Sequence, residues 1–375
     1  MDQCDVLIVG GGPAGSSCAW KLRDSGLKVA ILDKQRFPRD KVCGGWITPA
    51  VLDELAIGPT EYARGRILQP VTGFRISCIG GQVVETQYGR PISYGIRRYE
   101  FDEYLLKRSG VKLYEGVTLK RLDRANGNWI VNGQICTRML IGAGGTFCPV
   151  ARFLGARVNR ETVITAQEAE FVMDDCQLAG CAIRAEMPEL YFCSDLKGYG
   201  WCFRKQNVLN VGLGRLDPHG LSRHAAEFVE YLRAAGRLSL DVSPALVGHA
   251  YALYGRNSRQ IAGDSVLLIG DAAGVAYAQS GEGIRPAIES GLMAAKVVLA
   301  AQGCYRRERL EAYRGLLLER FGNADSHWLT RLGARVPSGL LSLIGRRLMA
   351  TEWFSREVVL NRWFLRQHEP AFNSV

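Results

Sequence analysis

Residues 5–34 read DVLIVGGGPAGSSCAWKLRDSGLKVAILDK and carry the most informative pattern in the chain. An apolar run, Val6 to Val9, leads into the glycine pattern Gly10-x-Gly12-x-x-Gly15. A predicted helix follows, and a second apolar run, Val29 to Leu32, ends at Asp33. A strand, a glycine turn, a helix and a second strand that ends in an acid form a dinucleotide-binding βαβ unit when they occur in this order.

Each part of this unit has a physical role. The first glycine allows a tight turn, the second lets the backbone approach a pyrophosphate, and the third packs the helix on the strand. The phosphates face the helix N-terminus, and Asp33 is placed to accept hydrogen bonds from the ribose hydroxyls. A glycine pattern alone is often an ordinary turn, but the complete unit predicts that this part of the chain binds an adenine dinucleotide.

Length and composition limit the number of domains and the class of protein. With 375 residues, 47% of them hydrophobic and 22% charged, the chain suits one large domain or two intertwined globular domains. It has no apolar run of 18 residues and its N-terminus leads directly into the first strand, so neither a transmembrane helix nor a secretory signal is predicted. Eleven cysteines without a CxxC pair predict free thiols in the reducing cytoplasm and no metal site.

The chain has a formal net charge of +10. It has no basic run interleaved with stacking aromatic residues and no nucleic-acid-binding motif, so a nucleic-acid partner is not predicted. The charge indicates either attraction to an anionic membrane surface or phosphorylated substrate, or a role in solubility alone.

Two further segments suggest the walls of a site. The loop from Arg36 to Pro49 contains Cys43-Gly44-Gly45, which lets the backbone pass close to a bulky group and places one thiol there. Alternatively, Cys43 is a small apolar filler. Short alternating strands are predicted in residues 71–94 and 163–214, and one of them directs Tyr199, Trp201 and Phe203 onto one face. These aromatic residues form either sheet core or the wall of an apolar pocket.

Three polar segments lie outside the first βαβ unit. Arg98 precedes Phe101-Asp102 at the start of a predicted helix, where it reaches a phosphate or forms a surface salt bridge. Gly270-Asp271 follows a buried strand, so that Asp271 can accept hydrogen bonds at a glycine turn. Gly281-Glu282-Gly283-Ile284 opens a long helix, whose N-terminal N–H groups suit a developing anion.

Together these segments resemble the FAD-dependent monooxygenase superfamily with the p-hydroxybenzoate hydroxylase fold. More narrowly, residues 41–45 (KVCGG), Tyr199-x-Trp201-x-Phe203-x-Lys205 and residues 281–284 (GEGI) resemble the geranylgeranyl reductase family, and the resemblance spans residues 1 to about 325. Two positions depart from the pattern: Arg204 replaces a proline, and Gly144 replaces the aspartate of Gly-Ala-Asp-Gly.

The resemblance implies an α/β fold in which a Rossmann-like FAD-binding domain is interleaved with an antiparallel β-sheet substrate domain, followed by a helical C-terminal region. The expected FAD-binding domain comprises residues 1–70, 95–160 and 260–303. The substrate domain comprises residues 71–94 and 161–259, and the C-terminal region residues 304–375.

The resemblance also implies the site residues. The expected catalytic and pocket residues are Cys43, Tyr199, Trp201 and Phe203, with Cys43 as the nearest candidate for a proton donor or as a residue that shapes the pocket. The residues expected to bind FAD are Gly10, Gly12, Pro13, Ala14, Gly15, Asp33, Lys34, Cys43, Gly44, Gly45, Arg98, Gly270, Asp271, Gly281, Gly283 and Ile284.

The function implied by the resemblance is saturation of C=C bonds in a polyprenyl (geranylgeranyl-type) lipid or related isoprenoid, by hydride transfer from reduced flavin N5. NAD(P)H or another external donor would reduce the flavin, although a second dinucleotide fingerprint is missing from the sequence. Two alternatives remain open: a flavin monooxygenase or halogenase-like enzyme that acts on an aromatic or apolar small molecule, and a non-catalytic FAD-binding protein.

The segment from Trp328 to Phe372 falls outside the resemblance. It combines large aromatic residues with many arginines, among them Arg331, Arg335, Arg346 and Arg347. This composition suits an element that touches the inner face of a membrane, or a helical lid on the β-sheet domain with its arginines in water.

Overall fold

The computed structural model describes residues 1–156, 163–217, 219–238, 245–255, 259–322 and 338–372. The strands are β1 Asp2–Val9, β2 Val29–Asp33, β3 Trp46–Ile47, β4 Leu68–Val71, β5 Gly73–Cys78, β6 Val84–Gln87, β7 Ser93–Ile96, β8 Lys112–Glu115, β9 Leu122–Ala125, β10 Asn128–Val131, β11 Ile135–Gly142, β12 Val163–Val172, β13 Glu189–Phe192, β14 Gly198–Lys205, β15 Val208–Arg215, β16 Val247–Ala252, β17 Ala262–Gly263 and β18 Val266–Leu268. The helices are α1 Pro13–Leu22, α2 Pro49–Glu54, α3 Pro59–Tyr62, α4 Arg98–Ser109, α5 Pro149–Phe153, α6 Asp175–Ala179, α7 Leu221–Ala234, α8 Ile284–Ala300, α9 Arg307–Leu310, α10 Ala312–Phe321 and α11 Ser338–Met349, followed by a π-helix, Phe354–Phe364.

A largely parallel sheet forms around the first strand of the chain. Its strand order is β17-β18-β11-β1-β2-β8, and β1 is parallel to both β11 and β2. The four residues Val6–Val9 are all buried, as expected for a central strand covered on both faces. The chain leaves β1 through the glycine turn and enters α1 at Pro13, a residue that suits the first turn of a helix.

A mostly antiparallel sheet of seven strands forms the second layer, in the order β16-β12-β15-β14-β13-β5-β6. Successive side chains of strand β14 point to opposite faces of this sheet. Cys202 points to the face covered by α7 and joins the apolar cluster around Phe228, whereas Trp201 belongs to the cluster on the opposite face. The predicted α/β architecture, with a parallel Rossmann-like sheet and an antiparallel sheet, is therefore confirmed.

Two predicted elements differ in detail. The antiparallel strands of residues 71–94 divide between two sheets: β5 and β6 join the seven-stranded sheet, whereas β7 pairs with β3 and β4 in a small sheet of its own. Helix α4 begins at Arg98 rather than at Phe101. Its first turn is stabilised because the Arg98 guanidinium donates two hydrogen bonds to the Asp102 carboxylate one turn later, at 2.7 and 2.8 Å.

The C-terminal region is helical, as predicted. The buried residues Val359, Leu360 and Phe364 of the π-helix share an apolar cluster with Trp46 and Phe74. This packing agrees with the expected lid on the β-sheet domain. Trp328, Arg331 and Arg335 lie outside the described residues.

The described part of the chain contains no helix that combines the length and the apolar content needed to cross a lipid bilayer.

Helix α8 packs so closely on α1 that a glycine is required at the contact. A Cβ atom added to Gly291 would lie 2.3 Å from the carbonyl oxygen of Ala14. Gly315 of α10 is also helical, but a Cβ atom there would have no neighbour within 4 Å.

These two glycines form a matched pair for mutation. We expect Gly291→Ala to lower the free energy of unfolding by about 1–3 kcal/mol, because α1 must move away from α8. Gly315→Ala is expected to raise it by about 0.5–1 kcal/mol, because alanine loses less backbone entropy in a helix. Urea unfolding followed by circular dichroism measures both changes. Equal effects of the two substitutions would contradict the close helix contact.

Candidate active site

A cavity of about 510 Å³ lies between the glycine turn after β1 and the face of the seven-stranded sheet that carries Trp201. All but one of the site residues predicted from the sequence line this cavity, although they are spread from Gly10 to Ile284. The exception is Gly15, where an added Cβ atom would lie 1.9 Å from the carbonyl oxygen of Gly10. Gly15 therefore allows the turn and the helix to pack together rather than lining the cavity.

One end of the cavity has the geometry of a dinucleotide turn. Gly10 has a φ of +120°, and a Cβ atom there would lie 2.3 Å from the carbonyl oxygen of Ala143. The Asp33 carboxylate accepts hydrogen bonds from the backbone N–H groups of Gly11, at 2.7 Å, and Gln35, at 2.8 Å. The acid at the end of β2 is thus held directly beside the glycine turn.

Two guanidinium groups share one carboxylate at this end of the cavity. The fully buried Asp102 binds Arg98 and also Arg39, whose Nη2 atom is 3.0 Å from a carboxylate oxygen. Arg98 therefore forms a buried ion pair that also lines the cavity, rather than a surface salt bridge. Arg39 Nη1 is buried and has no hydrogen-bond partner among the described residues. Because two cations face one anion and one N–H group remains unpaired, this region suits a pyrophosphate.

The loop after β18 and the N-terminus of α8 form an adjacent wall. The Arg259 guanidinium donates hydrogen bonds to the backbone carbonyls of Asp271 and Ala272, at 2.9 and 2.8 Å. A Cβ atom on Gly283 would lie 3.5 Å from the Asp271 carboxylate. Burial raises the pKa of Asp271 above its usual value. Asp271 is thus close to the helix N-terminus that was predicted to face an anion.

The opposite end of the cavity is aromatic. Tyr199, Trp201 and Phe203 all line it, as predicted. The Tyr199 ring meets the Phe364 ring edge-on at 5.3 Å, and its hydroxyl donates a hydrogen bond to the carbonyl of Ser280. Five further aromatic residues that were not predicted as part of the site also line the cavity: Trp46, Phe74, Phe147, Tyr251 and Phe364.

The Cys43 loop is fastened to the seven-stranded sheet from two sides. The Glu168 carboxylate accepts a hydrogen bond from the Cys43 backbone N–H. The Asn210 side chain donates to the Cys43 carbonyl at 3.4 Å and accepts from the Trp201 indole at 2.7 Å. The Cys-Gly-Gly segment therefore lies across the cavity in a position set by β12 and β15.

The sequence analysis missed several titratable residues in the cavity wall, above all Glu168, Lys41 and His249. Burial raises the pKa of Glu168 to about 7. The Lys41 Nζ atom lies 3.1 and 3.2 Å from the two ring nitrogens of His249. Burial and the neighbouring cations Lys41 and Arg98 lower the pKa of His249 to about 3, so that the ring is neutral.

A sequence signal for Glu168 did exist. The segment ITAQEAEFV of β12 places acids within an otherwise strand-forming run, and a fully buried acid in a sheet needs a specific partner. Glu170, two residues later, has such partners in Lys205, at 2.7 Å, and Arg97, at 3.1 Å.

The two departures from the family pattern also have clear positions. Arg204 points away from the aromatic face and donates hydrogen bonds to the backbone carbonyls of Gln206 and Ile183, at 2.9 and 3.3 Å. Gly144 lines the cavity, and a Cβ atom there would lie 3.3 Å from Cys148. Within the described ranges, no three His, Cys, Asp or Glu side chains come together as a group that could hold a metal ion.

Comparison with known proteins assigns the family. The family model for FAD-dependent oxidoreductases matches residues 5–81. The chain is 31% identical to the menaquinone reductase of Mycobacterium tuberculosis over 356 residues, covering 87% of this chain and 82% of that protein. It is 29% identical to the digeranylgeranylglycerophospholipid reductase of Methanocaldococcus jannaschii, covering 80% of this chain and 78% of that protein.

Solved structures share the fold. A geranylgeranyl bacteriochlorophyll reductase-like protein from Thermoplasma acidophilum superposes with a TM-score of 0.78 at 24% identity, covering 98% of each chain. A variant of the halogenase PltM in complex with FAD superposes with a TM-score of 0.68 at 19% identity, covering 85% of this chain and 74% of that one. The sequence relatives show that the chain belongs to the geranylgeranyl reductase and menaquinone reductase family of FAD-dependent oxidoreductases, and its fold agrees with this assignment.

Proposed function

We propose that this enzyme reduces C=C bonds in an isoprenoid chain. The observation that carries the proposal is a single cavity that joins a dinucleotide turn to a wall of aromatic side chains, among them Tyr199, Trp201 and Phe203. Such a wall provides apolar contact for a prenyl chain and excludes water. The names of the menaquinone and digeranylgeranylglycerophospholipid reductases support an isoprenoid lipid as the substrate class.

The chain's own residues have separate roles in this proposal. The glycine turn, Asp33 and the Arg39–Arg98 pair would hold the dinucleotide part of FAD, and the N-terminus of α8 at residues 281–284 would favour negative charge on the reduced cofactor. When bound, reduced FAD supplies the hydride. The aromatic faces of Trp201 and Phe203 stabilise positive charge that develops on the alkene carbon, through cation–π attraction. We further propose that NAD(P)H or another external donor reduces the cofactor. We also propose that the chain divides, as the sequence suggests, into an FAD-binding domain, a β-sheet substrate domain and a C-terminal region.

The first experiment tests the reaction itself. Purified enzyme with FAD is reduced by dithionite without oxygen and mixed with geranylgeranyl lipids and prenylated quinones. We expect flavin reoxidation in the absence of oxygen and products heavier by two hydrogens for each reduced bond, by absorbance and mass spectrometry. A flavin that stays reduced until air enters, followed by an oxygenated or halogenated product, would instead support the monooxygenase or halogenase alternative.

Phe364 supports a second prediction, on chain length. Its ring is 5% exposed and closes the cavity against Tyr199 and Trp46. We expect Phe364→Leu to raise the relative rate with longer prenyl chains and Phe364→Trp to raise it with shorter ones, because the ring limits the length of the apolar end. Rates with geranyl, farnesyl and geranylgeranyl substrates measure the change.

Trp353 provides the control for Phe364. It lies next to the same π-helix but is 68% exposed, so Trp353→Ala should leave the order of chain lengths unchanged. An unchanged order in both Phe364 variants would show that another residue limits the chain.

We also propose that the C-terminal region touches the surface of an anionic membrane. Leu343, Ile344 and Leu348 of α11 are 50%, 46% and 40% exposed, and the exposed residues Arg346 and Arg347 lie among them. Exposed apolar side chains next to arginines suit insertion at the headgroup level of anionic lipids.

Sedimentation with phospholipid vesicles tests this contact. We expect binding to phosphatidylglycerol vesicles that falls when Leu343 and Leu348 are both changed to Gln. Val172→Gln is the control, because Val172 is 58% exposed but lies on β12, outside the C-terminal region. Equal binding to phosphatidylcholine vesicles, or no loss in the double variant, would contradict the proposal.

A further inference from the structure

Reduction of a C=C bond needs a proton as well as a hydride, so the cavity must contain or admit an acid. The acids that line it are Asp33, Asp40, Glu168, Asp271 and Glu282. Asp33 is committed to the backbone of the glycine turn, and Asp40 is exposed. Asp271 lies beside the N-terminus of α8. Glu168 and Glu282 therefore remain as acids that border the aromatic wall.

Glu168 lies directly beside the aromatic face. Its side chain is 4% exposed. A Cβ atom added to Gly212 would lie 2.3 Å from the Trp201 ring and 2.7 Å from the Glu168 Cβ atom, so Glu168 and Trp201 flank the same glycine. The Cys43 N–H group is the hydrogen-bond partner of one carboxyl oxygen, Oε1. The other oxygen, Oε2, has no hydrogen-bond partner among the described residues, and the protein does not enclose it completely.

Burial is the main cause that raises the pKa of the Glu168 carboxyl, to about 7, so that its protonated and ionised forms coexist near neutral pH. The nearby ammonium of Lys205 lowers that pKa only in part, because its hydrogen bond, of 2.7 Å, goes to Glu170 instead. Glu168 can therefore hold a proton and also release it close to physiological pH, as a general acid requires.

Other groups that could supply a proton also line the cavity, namely Cys43, Tyr199, Tyr251 and Glu282. Burial raises the pKa of Glu282 to about 7 as well, and its Oε1 accepts the backbone N–H of Arg285 at 2.7 Å. Glu168 is favoured over Glu282 because it flanks Gly212 together with Trp201, on the aromatic face itself. The Tyr199 hydroxyl donates its proton to the Ser280 carbonyl. The Cys43 thiol, which the sequence suggested as the nearest candidate, accepts the Gly45 N–H at 3.5 Å.

We propose that Glu168 is the acid that donates the proton in this reaction, a step that rests on the proposed alkene reduction. The π electrons of the C=C bond form a C–H bond with the proton of Glu168 Oε2, and the O–H bond breaks to leave a carboxylate. The second carbon receives the hydride from the reduced cofactor, which is thereby oxidised by two electrons. The carboxylate then regains a proton from solvent.

The test separates proton transfer from binding. Glu168→Gln keeps an oxygen for the Cys43 N–H but has no acidic proton. In stopped-flow mixing of anaerobically reduced holoenzyme with the best isoprenoid substrate, we expect the reoxidation rate to fall by about 100-fold or more. The Kd of the substrate for the oxidised holoenzyme should change by less than about threefold, because the shape of the pocket is kept.

The pH dependence gives a signature that a structural role would not produce. An acid must be protonated to act, so the wild-type rate should be full below the pKa of Glu168 and fall as pH rises through about 7. This loss should be absent from the residual rate of Glu168→Gln. Infrared spectra of the oxidised holoenzyme provide an independent readout: the carbonyl band of a protonated carboxyl that titrates in this range should weaken in Glu168→Gln.

Glu282→Gln and Cys43→Ala test the alternatives, and Glu168→Asp provides a second acid at the same position. Glu168→Asp should retain a pH-dependent rate, and both other variants should keep the decline at alkaline pH. A Glu168→Gln enzyme as fast as wild type would overturn the proposal. So would loss of the alkaline decline in Glu282→Gln or Cys43→Ala, or a Glu168→Gln enzyme that no longer binds FAD. A wild-type enzyme that reduces no isoprenoid would refute the proposed function itself.

Discussion

The structure depends on how closely the backbone packs around the glycine turn after β1. Gly10 lies against the carbonyl of Ala143, Gly15 against the carbonyl of Gly10, and Gly291 of α8 against the carbonyl of Ala14. A side chain at any of these positions would separate β1, β11, α1 or α8. Because α8 begins at Ile284 beside Asp271, the same contacts also determine where its N-terminus faces the cavity.

The charges of the cavity are divided between its two ends. Arg39 and Arg98 outnumber Asp102 at the dinucleotide end, and the His249 ring beside Lys41 is kept neutral. The aromatic end contains Glu168, whose carboxyl is protonated to a much larger extent near neutral pH than an exposed glutamate, because burial raises its pKa to about 7. A charged group and an apolar group can therefore bind in one cavity without a large desolvation cost to either.

Most of the fold and the dinucleotide end of the site could be predicted from the sequence, because both rest on local patterns. The turn at Gly10, the acid at Asp33 and the alternation of Tyr199, Trp201 and Phe203 each lie within a few consecutive residues. Glu168 and Phe364 could not be placed in this way. Their roles depend on contacts with Cys43 and Trp46, which are distant in sequence and meet only through sheet pairing and helix packing.

The same dependence on distant contacts applies to the end of α8 that faces the cavity. The fully buried Arg285 binds Glu54 and Glu289, and it also donates hydrogen bonds to the backbone carbonyls of Glu369 and Pro370. Glu54 and Glu289 balance the charge of Arg285, but its remaining hydrogen bonds and the Phe364 part of the aromatic wall both need residues 364–370. During synthesis the ribosome releases the glycine turn at residues 10–15 long before these residues. A nascent chain can thus form its dinucleotide turn early, whereas the aromatic end of the cavity is enclosed only when the π-helix docks.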